Sequence, residues 1–453
     1  MPENQTAVLT IISRNYYGMA KTLLQSLKLH QPDWDRYLLL VDEWEGMPKD
    51  TNLWVPLTLD ELMLPDMKKM LFRYTILELN TAVKPWVLHF LIKKGYKHVV
   101  YFDPDICVYR SLVELESALS SNDIVLTPHL TRPLEDDRKP SELDILRSGS
   151  YNLGFVAFTS TENTKRCLLW WQSKLEYGAV VDLENGMFND QKWCELLPSL
   201  FENVHILRNP AYNVAYWNLA HRTVEKNDDK YEVNKEPLAF FHYSGLDIEK
   251  PHAFSKHQDR FTLGNVSKAV RELVNMYSKA VLANGYAEYI KIPYAFGCFS
   301  NEVKIPDACR VIYRNTPSLI KACGENPFEC PGIFREEVSC GTKDNKHPIL
   351  YVMKAVWDVR SDLQAFFPRI FDEDRVAYYQ WFMASAKRDM DLPNYFIEQL
   401  STNIELQPLK TKPKRLRSCL YRAAKRLLPR SVKRMIKRCL PVEVLRRIEI
   451  KYY

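Results

Sequence analysis

The stretch HVVYFDPDICV, residues 98–108, is an apolar strand that ends in two carboxylates, Asp103 and Asp105. Successive side chains on an extended chain point to opposite faces, so carboxylates at i and i+2 emerge on the same side. Pro104 also pushes Asp103 towards an extended conformation. Ligands bind outside the carboxyl ends of strands in open α/β sheets, where two oxygen donors suit Mg²⁺ or Mn²⁺. The alternative is a strand that ends in solvated acidic residues.

The sequence around this strand alternates apolar strands with amphipathic segments, which is the pattern of an α/β sheet. We predict strands at 7–12, 37–41, 123–127, 154–158, 204–207 and 238–241, and helices at 19–27 and between 67 and 94. Longer helical periods and Pro-containing loops begin near residue 260. The expected organisation is an α/β domain over 1–260, a smaller, mainly helical accessory domain over 261–409 and a tail over 410–453.

The tail is strongly basic and amphipathic. Residues 410–453 contain 16 of the 62 Lys and Arg residues but only 2 of the 56 Asp and Glu residues. Apolar residues recur there at helical spacing, as at Leu416, Leu420, Ala423 and Leu427. A basic amphipathic helix lies in a membrane interface, with its cations on anionic headgroups. We expect an anionic membrane surface as the partner, because an arm that binds only nucleic acid does not need an apolar stripe. The alternatives are a nucleic-acid-binding tail and a solvated extension.

Length and composition set the remaining limits. A chain of 453 residues with 46% hydrophobic residues is expected to form two domains and an appendage. It has no uninterrupted apolar stretch of membrane-spanning length, and residues 1–7 lack the layout of a signal peptide. The expected location is cytoplasmic, peripheral on the inner face of the membrane. Ten cysteines without zinc-type spacing favour reduced thiols.

Four further segments fall at predicted element ends. They are Asn15-Tyr16, Tyr151-Asn-Leu-Gly154, Asn189-Asp-Gln191, and Phe241-His-Tyr-Ser-Gly245 with Lys250-Pro251 after it. With the aspartate pair, their order and spacing resemble the retaining glycosyltransferases of family 8, which include bacterial lipopolysaccharide galactosyltransferases. The resemblance covers roughly the first 260 residues. It implies a GT-A fold, the Rossmann-like architecture of nucleotide-diphospho-sugar transferases.

The resemblance implies a metal site. Asp103 and Asp105 correspond to the Asp-x-Asp ligands, His242 to the third protein ligand, and Mn²⁺ or Mg²⁺ to the cofactor. Asp103 also counts among the donor-binding residues. Gly245 would let the backbone approach a phosphate, and Lys250 would supply positive charge to the departing nucleoside diphosphate.

The resemblance also implies how the sugar donor is held. Asn15 and Tyr16 match positions that contact the nucleoside base, which is expected to be uracil. Lys84 falls near a basic residue that the family places against the donor sugar and phosphates; helix geometry alone makes it a solvated cation. Asn152 and Gly154 correspond to the segment that borders the donor sugar.

Asp190 and Gln191 match an Asp-Gln pair beside the anomeric carbon, and the implied reaction is sugar transfer with retention. Attack from the leaving-group face and double displacement, with Asp190 as the nucleophile, both stay open. The expected activity moves a sugar from a nucleotide sugar to a glycan or lipid-linked glycan acceptor, in bacterial surface polysaccharide or lipopolysaccharide synthesis.

Two less specific segments leave alternatives open. Residues 212–218 either line an acceptor cleft or pack in the core, and the charged run 135–138 is either a solvated loop or a lid over the donor. Two rival functions also remain. One is a phosphohydrolase of the haloacid dehalogenase type, whose first aspartate is a nucleophile. The other is a non-catalytic, membrane-peripheral scaffold with a degenerate transferase fold.

Overall fold

A computed structural model describes residues 2–183, 185–339 and 346–398. Its centre is a seven-stranded sheet in the order β10-β6-β7-β4-β1-β2-β3. The strands of this sheet are β1 (Thr6–Ile12), β2 (Asp35–Leu40), β3 (Val55–Leu57), β4 (His98–Phe102), β6 (Ile124–Pro128), β7 (Tyr151–Thr159) and β10 (Val204–Ile206). All pairs are parallel except those of β7, which runs antiparallel to β4 and β6. The predicted α/β class is confirmed.

The sheet is covered on both faces, which explains why its strands are apolar throughout. All seven residues of β1 are buried. Val8 and Ile12 join the core on one face, and Leu9 and Ile11 join the core on the other. The predicted strands are all present with shifted ends. For example, β7 begins three residues before the predicted residue 154, because Tyr151 pairs with Pro128 beyond an irregularity in the register.

Small antiparallel pairings lie outside the main sheet. They involve β5 (Ile106–Val108), β8 (Val181–Asp182), β9 (Met187–Phe188), β11 (Val224–Asn227), β12 (Lys230–Val233), β13 (Glu236–Pro237) and β14 (Phe240–His242). The pairing of β14 with β5 matters most for the site, because it sets His242 opposite Ile106 and therefore next to Asp105. The strand predicted at 238–241 is shorter at its start and ends on His242.

The helices are α1 (Tyr17–His30), α2 (Met67–Arg73), α3 (Ile76–Ala82), α4 (Lys84–Lys93), α5 (Val113–Ser121), α6 (Glu142–Ser148), α7 (Glu162–Leu175), α8 (Leu197–Leu200), α9 (Lys268–Ala283), α10 (Tyr286–Tyr289), α11 (Asp307–Asn315), α12 (Pro317–Ala322), α13 (Tyr351–Asp358), α14 (Ser361–Phe366), α15 (Arg375–Trp381) and α16 (Lys387–Met390). The chain after residue 260 is therefore mainly helical within the described ranges.

This helical part packs against the elements that flank the sheet. Nδ2 of Asn284 donates to Oγ1 of Thr22 in α1 at 2.9 Å, and Arg310 donates to the carbonyls of Leu71 and Tyr74.

The described residues up to Ile397 form one compact unit. The boundary expected at residue 260 falls inside this unit and stays a prediction. The basic tail 410–453 lies outside the described residues. Within the described ranges, no helix combines the length and apolar character needed to cross a bilayer.

Candidate active site

The two aspartates occupy the turn between β4 and β5. Asp103 follows the last residue of β4, and its backbone N–H donates to the carbonyl of Gly154 at 2.7 Å. Asp105 precedes β5, and its carbonyl accepts from the N–H of Tyr243 at 2.8 Å. Both aspartates are half-buried. The turn is therefore held on one side by β7 and on the other by the segment after β14.

His242 completes a cluster of three potential metal ligands. Its Nε2 lies 3.0 Å from Oδ1 of Asp105 and 3.8 Å from Oδ2 of Asp103. One ligand atom from each residue lies within 4.8 Å of the other two. Burial lowers the pKa of His242, but the charges of Asp105 and Asp103 outweigh it, so the pKa is raised overall. Two carboxylates and an imidazole form a donor set that suits Mn²⁺.

The electrostatics of Asp103 also fit a cation. Burial raises the pKa of its carboxyl, opposed mainly by Lys84 and His242, and Asp105 raises it further. The hydroxyl of Tyr101 donates to Oδ1 of Asp103 at 2.6 Å, which leaves Oδ2 to face His242. A divalent cation between the carboxylates would offset both the desolvation and the repulsion.

Gly154 makes room for this cluster. A Cβ atom at this position would lie 2.4 Å from Cε1 of His242, 2.8 Å from Oδ1 of Asn152 and 2.9 Å from Oδ2 of Asp103. Any other residue would therefore displace two of the three potential ligands. The absence of a side chain at Gly154 is a steric requirement of the site.

A cleft of about 410 Å³ opens beside Asp105, which is one of its lining residues. This volume lies within the usual range for small-molecule sites. Four of the predicted donor-binding residues line it, namely Asn15, Tyr16, Gly245 and Lys250. The remaining lining residues are Met19, Tyr243, Leu246, Asp247, Ala253, Ser255, Lys256, Tyr286 and Ile290.

Asn15 and Tyr16 stand directly after β1, at the carboxyl end of a central strand. Oδ1 of Asn15 accepts from the hydroxyl of Ser13 at 2.7 Å, which orients its amide. Desolvation, with repulsion from Asp105 and Asp103, raises the pKa of Tyr16 to about 12. The phenol therefore stays protonated at neutral pH and can donate a hydrogen bond into the cleft.

The loop after β14 brings glycine and two lysines to the opposite wall. Gly245 has a φ of +70°, and a Cβ there would lie 2.4 Å from Cδ2 of His257. Lys250 and Lys256 are both exposed and both line the cleft. The sequence analysis did not predict Lys256 as a site residue. Its position could have indicated the role, because it lies six residues after Lys250 in the loop that was expected to bind the diphosphate.

A second, buried group lies behind the metal cluster. Nζ of Lys84 is 2.5 Å from Oδ2 of Asp190 and donates to the carbonyl of Leu153 at 2.9 Å. Oε1 of Gln191 accepts from the N–H of Leu153 at 3.0 Å, and its Nε2 donates to the carbonyl of Ser148 at 2.8 Å. Burial raises the pKa of Asp190, although Lys84 opposes this. Lys84 is therefore not the solvated cation that helix geometry alone allows.

The structure divides the predicted site residues into three groups. The metal cluster contains Asp103, Asp105 and His242, with Gly154 packed against it. The cleft wall contains Asn15, Tyr16, Gly245 and Lys250. The buried group behind them contains Lys84, Asn152, Asp190 and Gln191. Their individual roles in donor binding and catalysis stay predictions.

Burial decides between the two alternatives for the segment 212–218, whereas both alternatives for the charged run 135–138 stay predictions. Tyr212, Asn213, Trp217 and Asn218 are at most 2% exposed, so the segment 212–218 is mainly core. The charged run 135–138 is tied to the loop after β14, because the Arg260 guanidinium donates to both carboxylate oxygens of Asp136 at 2.8 to 3.1 Å.

No family model matches this chain. Two curated relatives are the uncharacterized proteins YfnD and YfnF of Bacillus subtilis strain 168. YfnD is 26% identical over 253 residues, which cover 54% of this chain and 79% of YfnD. YfnF is 24% identical over 261 residues, which cover 54% of this chain and 82% of YfnF.

Among solved structures, the chain is similar to the galactosyltransferase LgtC in complex with donor and acceptor sugar analogs. The TM-score is 0.38 at 13% identity, covering 63% of this chain and 97% of LgtC. It is also similar to the glycosyltransferase GlyE of Streptococcus pneumoniae, with a TM-score of 0.37 at 15% identity, covering 66% of this chain and 67% of GlyE. These structural relatives are glycosyltransferases.

Proposed function

We propose that this chain is a metal-dependent, retaining glycosyltransferase that moves a sugar from a nucleotide sugar, expected to be a UDP-sugar, to a glycan acceptor. The observation that carries the proposal is the cluster of Asp103, Asp105 and His242 at the edge of a cleft that two lysines line. A metal site beside the ammonium groups of Lys250 and Lys256 suits a metal-bound diphosphate, because the metal and the lysines can both bind phosphate oxygens. The Asp-x-Asp resemblance points to the same chemistry.

The cluster has the residues to hold Mn²⁺ or Mg²⁺, which when bound would neutralise charge on a diphosphate leaving group. The chain's own residues supply the rest. Lys250 and Lys256 would pair with the phosphates from the opposite wall. Gly245 would let the backbone approach them, and Tyr16 would donate a hydrogen bond to the nucleoside.

The surroundings of Asp190 support attack by the acceptor from the leaving-group face. Double displacement needs a free carboxylate nucleophile at the anomeric carbon. The side chain of Asp190 is only 3% exposed and is paired with Lys84. In our proposal Asp190 holds Lys84 in place and Gln191 borders the sugar. The transfer then forms no covalent intermediate between sugar and enzyme.

The acceptor and the location are proposed from the sequence. The basic amphipathic tail supports a peripheral site on the cytoplasmic face of a bacterial membrane, where lipid-linked glycans for surface polysaccharide or lipopolysaccharide are assembled. Deletion of residues 410–453 is expected to release the protein from anionic vesicles and to leave donor hydrolysis intact. Vesicle binding by the truncated protein would remove this part of the proposal.

The reaction is tested with purified protein, Mn²⁺ and a panel of nucleotide sugars. We expect hydrolysis or transfer of one of them, abolished in Asp103→Ala and Asp105→Ala without unfolding. Asp33→Asn, a change at an exposed aspartate, should leave the rate unchanged. Phosphate release from phosphomonoesters in place of sugar release would indicate a phosphohydrolase, and neither activity would indicate a scaffold. Full turnover in Asp105→Ala would contradict the metal site.

A further inference from the structure

One part of the cleft wall comes from the helical region after residue 260. Tyr286, in the short helix α10, and Ile290, directly after its last residue, line the cleft together with Asn15 and Tyr16. The family resemblance that predicted the other donor-binding residues covers roughly the first 260 residues, so it assigns no role to either side chain. The helical region therefore adds surface to the candidate donor site.

Helix α10 packs closely on the start of α1. It contacts residues 14–16, which follow β1. A Cβ atom on Gly18 would lie 3.0 Å from the backbone nitrogen of Tyr286 and 3.1 Å from its Cα, so glycine leaves room for the two backbones to approach. The ring centroids of Tyr17 and Tyr289 are 4.4 Å apart. The helix is therefore fixed beside the two residues expected to contact the nucleoside.

The segment after α10 is attached to the same edge of the sheet. Nη2 of Arg14 donates to the carbonyl of Pro293 at 2.6 Å, and Nε of Arg14 lies 3.1 Å from Oδ1 of Asp42. The same oxygen of Asp42 accepts from the N–H of Ala295 at 3.0 Å. Contacts before and after it thus hold α10 in place, and this packing sets its two cleft-lining side chains.

The cleft lining combines two kinds of surface. Charged groups come from Asp105, Asp247, Lys250 and Lys256, and apolar or aromatic surface comes from Tyr16, Met19, Leu246, Tyr286 and Ile290. Tyr16 and Ile290 are 40% and 37% exposed. A ligand that covers these side chains would remove apolar surface from water. A nucleoside diphosphate offers both a flat ring system for the apolar surface and phosphates for the lysines.

Tyr286 lies near both the segment after β1 and the loop after β14. Its phenol is close enough to Tyr16 to help raise the pKa of that residue. Burial raises the pKa of Tyr286 itself, and the carboxylates of Asp247 and Glu249 raise it further. The phenol is therefore neutral at physiological pH. An uncharged aromatic ring in this place suits a nucleobase, because every base has a face on which such a ring can stack.

We propose that Tyr286 is a donor-binding residue whose ring packs on the nucleoside base, with Ile290 beside it, so that the helical region after residue 260 completes the donor site. The inference rests on the proposed function. Asn15 and Tyr16 would contact the edge of the base, and Tyr286 would cover its face. Packing of this kind depends on the aromatic ring and not on the hydroxyl group.

The test compares two probes by isothermal titration calorimetry of the full chain with Mn²⁺. The first probe is UDP, replaced by CDP, ADP, GDP or TDP if the wild type binds one of these more tightly. The second is inorganic pyrophosphate, which has no base. We expect Tyr286→Ala to bind the nucleotide about 5- to 150-fold more weakly, the range for loss of one base–aromatic stack, and to bind pyrophosphate like the wild type. Tyr286→Phe should bind both probes like the wild type.

The matched control is Tyr289→Ala. Tyr289 belongs to the same helix and is also half-buried, but it packs on Tyr17 and lines a separate recess with Lys49 and Asp50. This variant should have a lower melting temperature and unchanged affinity for both probes. An equal loss of nucleotide affinity in Tyr289→Ala would overturn the inference, because the effect would then come from the helix as a whole.

The remaining outcomes are also decisive. Wild-type nucleotide affinity in a folded Tyr286→Ala variant overturns the inference, and so does an equal loss for nucleotide and pyrophosphate. If Tyr286→Ala does not fold, Tyr286→Leu keeps apolar bulk without an aromatic face and should show the same selective loss. A loss in Tyr286→Phe as large as in Tyr286→Ala would assign the contact to the hydroxyl and contradict packing on the base. A wild type that binds pyrophosphate but none of the nucleoside diphosphates contradicts the proposed nucleotide-sugar donor itself.

Discussion

Nζ of Lys84 lies 2.5 Å from Oδ2 of Asp190 in an ion pair whose two side chains are 2% and 3% exposed. The same ammonium group lies 4.1 Å from the centre of the Tyr101 ring, and Tyr101 donates to Asp103. The buried ammonium group of Lys84 thus contacts Asp190 directly and reaches Asp103, a potential metal ligand, through the ring of Tyr101. Burial raises the pKa of both Asp103 and Asp190, and the charge of Lys84 opposes that rise at each carboxyl.

Lys84→Met is expected to destabilise the protein by about 3–5 kcal/mol, because it leaves the Asp190 carboxylate buried without a partner. The double variant Lys84→Met with Asp190→Leu should recover most of this loss, since no buried charge remains. The measurement is the free energy of unfolding from urea titrations of the wild type, both single variants and the double variant. A Lys84→Met variant as stable as the wild type would contradict the buried ion pair.

Gly154→Ala is expected to lower the free energy of unfolding by about 1–3 kcal/mol through overpacking and to abolish Mn²⁺ binding. The new Cβ would overlap His242 and Asp103. Gly297→Ala is the matched control, because a Cβ there has only ordinary contacts, at 3.9 and 4.0 Å, with Tyr294. Retained Mn²⁺ affinity in folded Gly154→Ala would show that the cluster does not bind the cation.

The loop that contains Asp136 should detach at low pH. Hydrogen bonds from Arg260 are the largest cause that lowers the pKa of the Asp136 carboxyl, from 3.8 to about 2. Because the pKa of Asp136 is lower in the folded than in the unfolded protein, its carboxylate stabilises the folded state at pH values above the unfolded-state pKa. This contribution is lost as the pH falls through the folded-state pKa of about 2. The stability difference between wild type and Asp136→Asn should be constant from pH 5 to 8 and shrink between pH 4 and 2. A difference that does not change with pH would rule out this ion pair.

The two lysines of the cleft wall should each contribute to nucleotide binding. Lys250→Met and Lys256→Met are each expected to weaken binding of UDP with Mn²⁺ by about 10- to 100-fold, the usual cost of losing a charge-assisted contact. Isothermal titration calorimetry gives the affinity. Lys268→Met is the control, because its side chain is 86% exposed at the start of α9. Wild-type affinity in Lys256→Met would remove that residue from the site.

Much of the fold followed from local pattern alone. The apolar runs predicted six of the seven strands of the central sheet, because a residue pair such as Val8 and Leu9 can be buried on opposite faces only in a sheet covered on both sides. They did not predict β3, which is only three residues long. The aspartate pair was also locally specified, since Pro104 and the strand before it already set both carboxylates at one end of β4.

The completed site was decided only by the tertiary structure. His242 reaches Asp105 because β14 pairs with β5 in one particular register. Lys84 meets Asp190 across 106 residues of sequence. Asn213 meets His242 across 29 residues, from a segment that the sequence equally allowed as an acceptor surface. Periodicity reports which face of an element is buried, but strand register and the partners of a buried polar group depend on distant packing, which no local pattern contains.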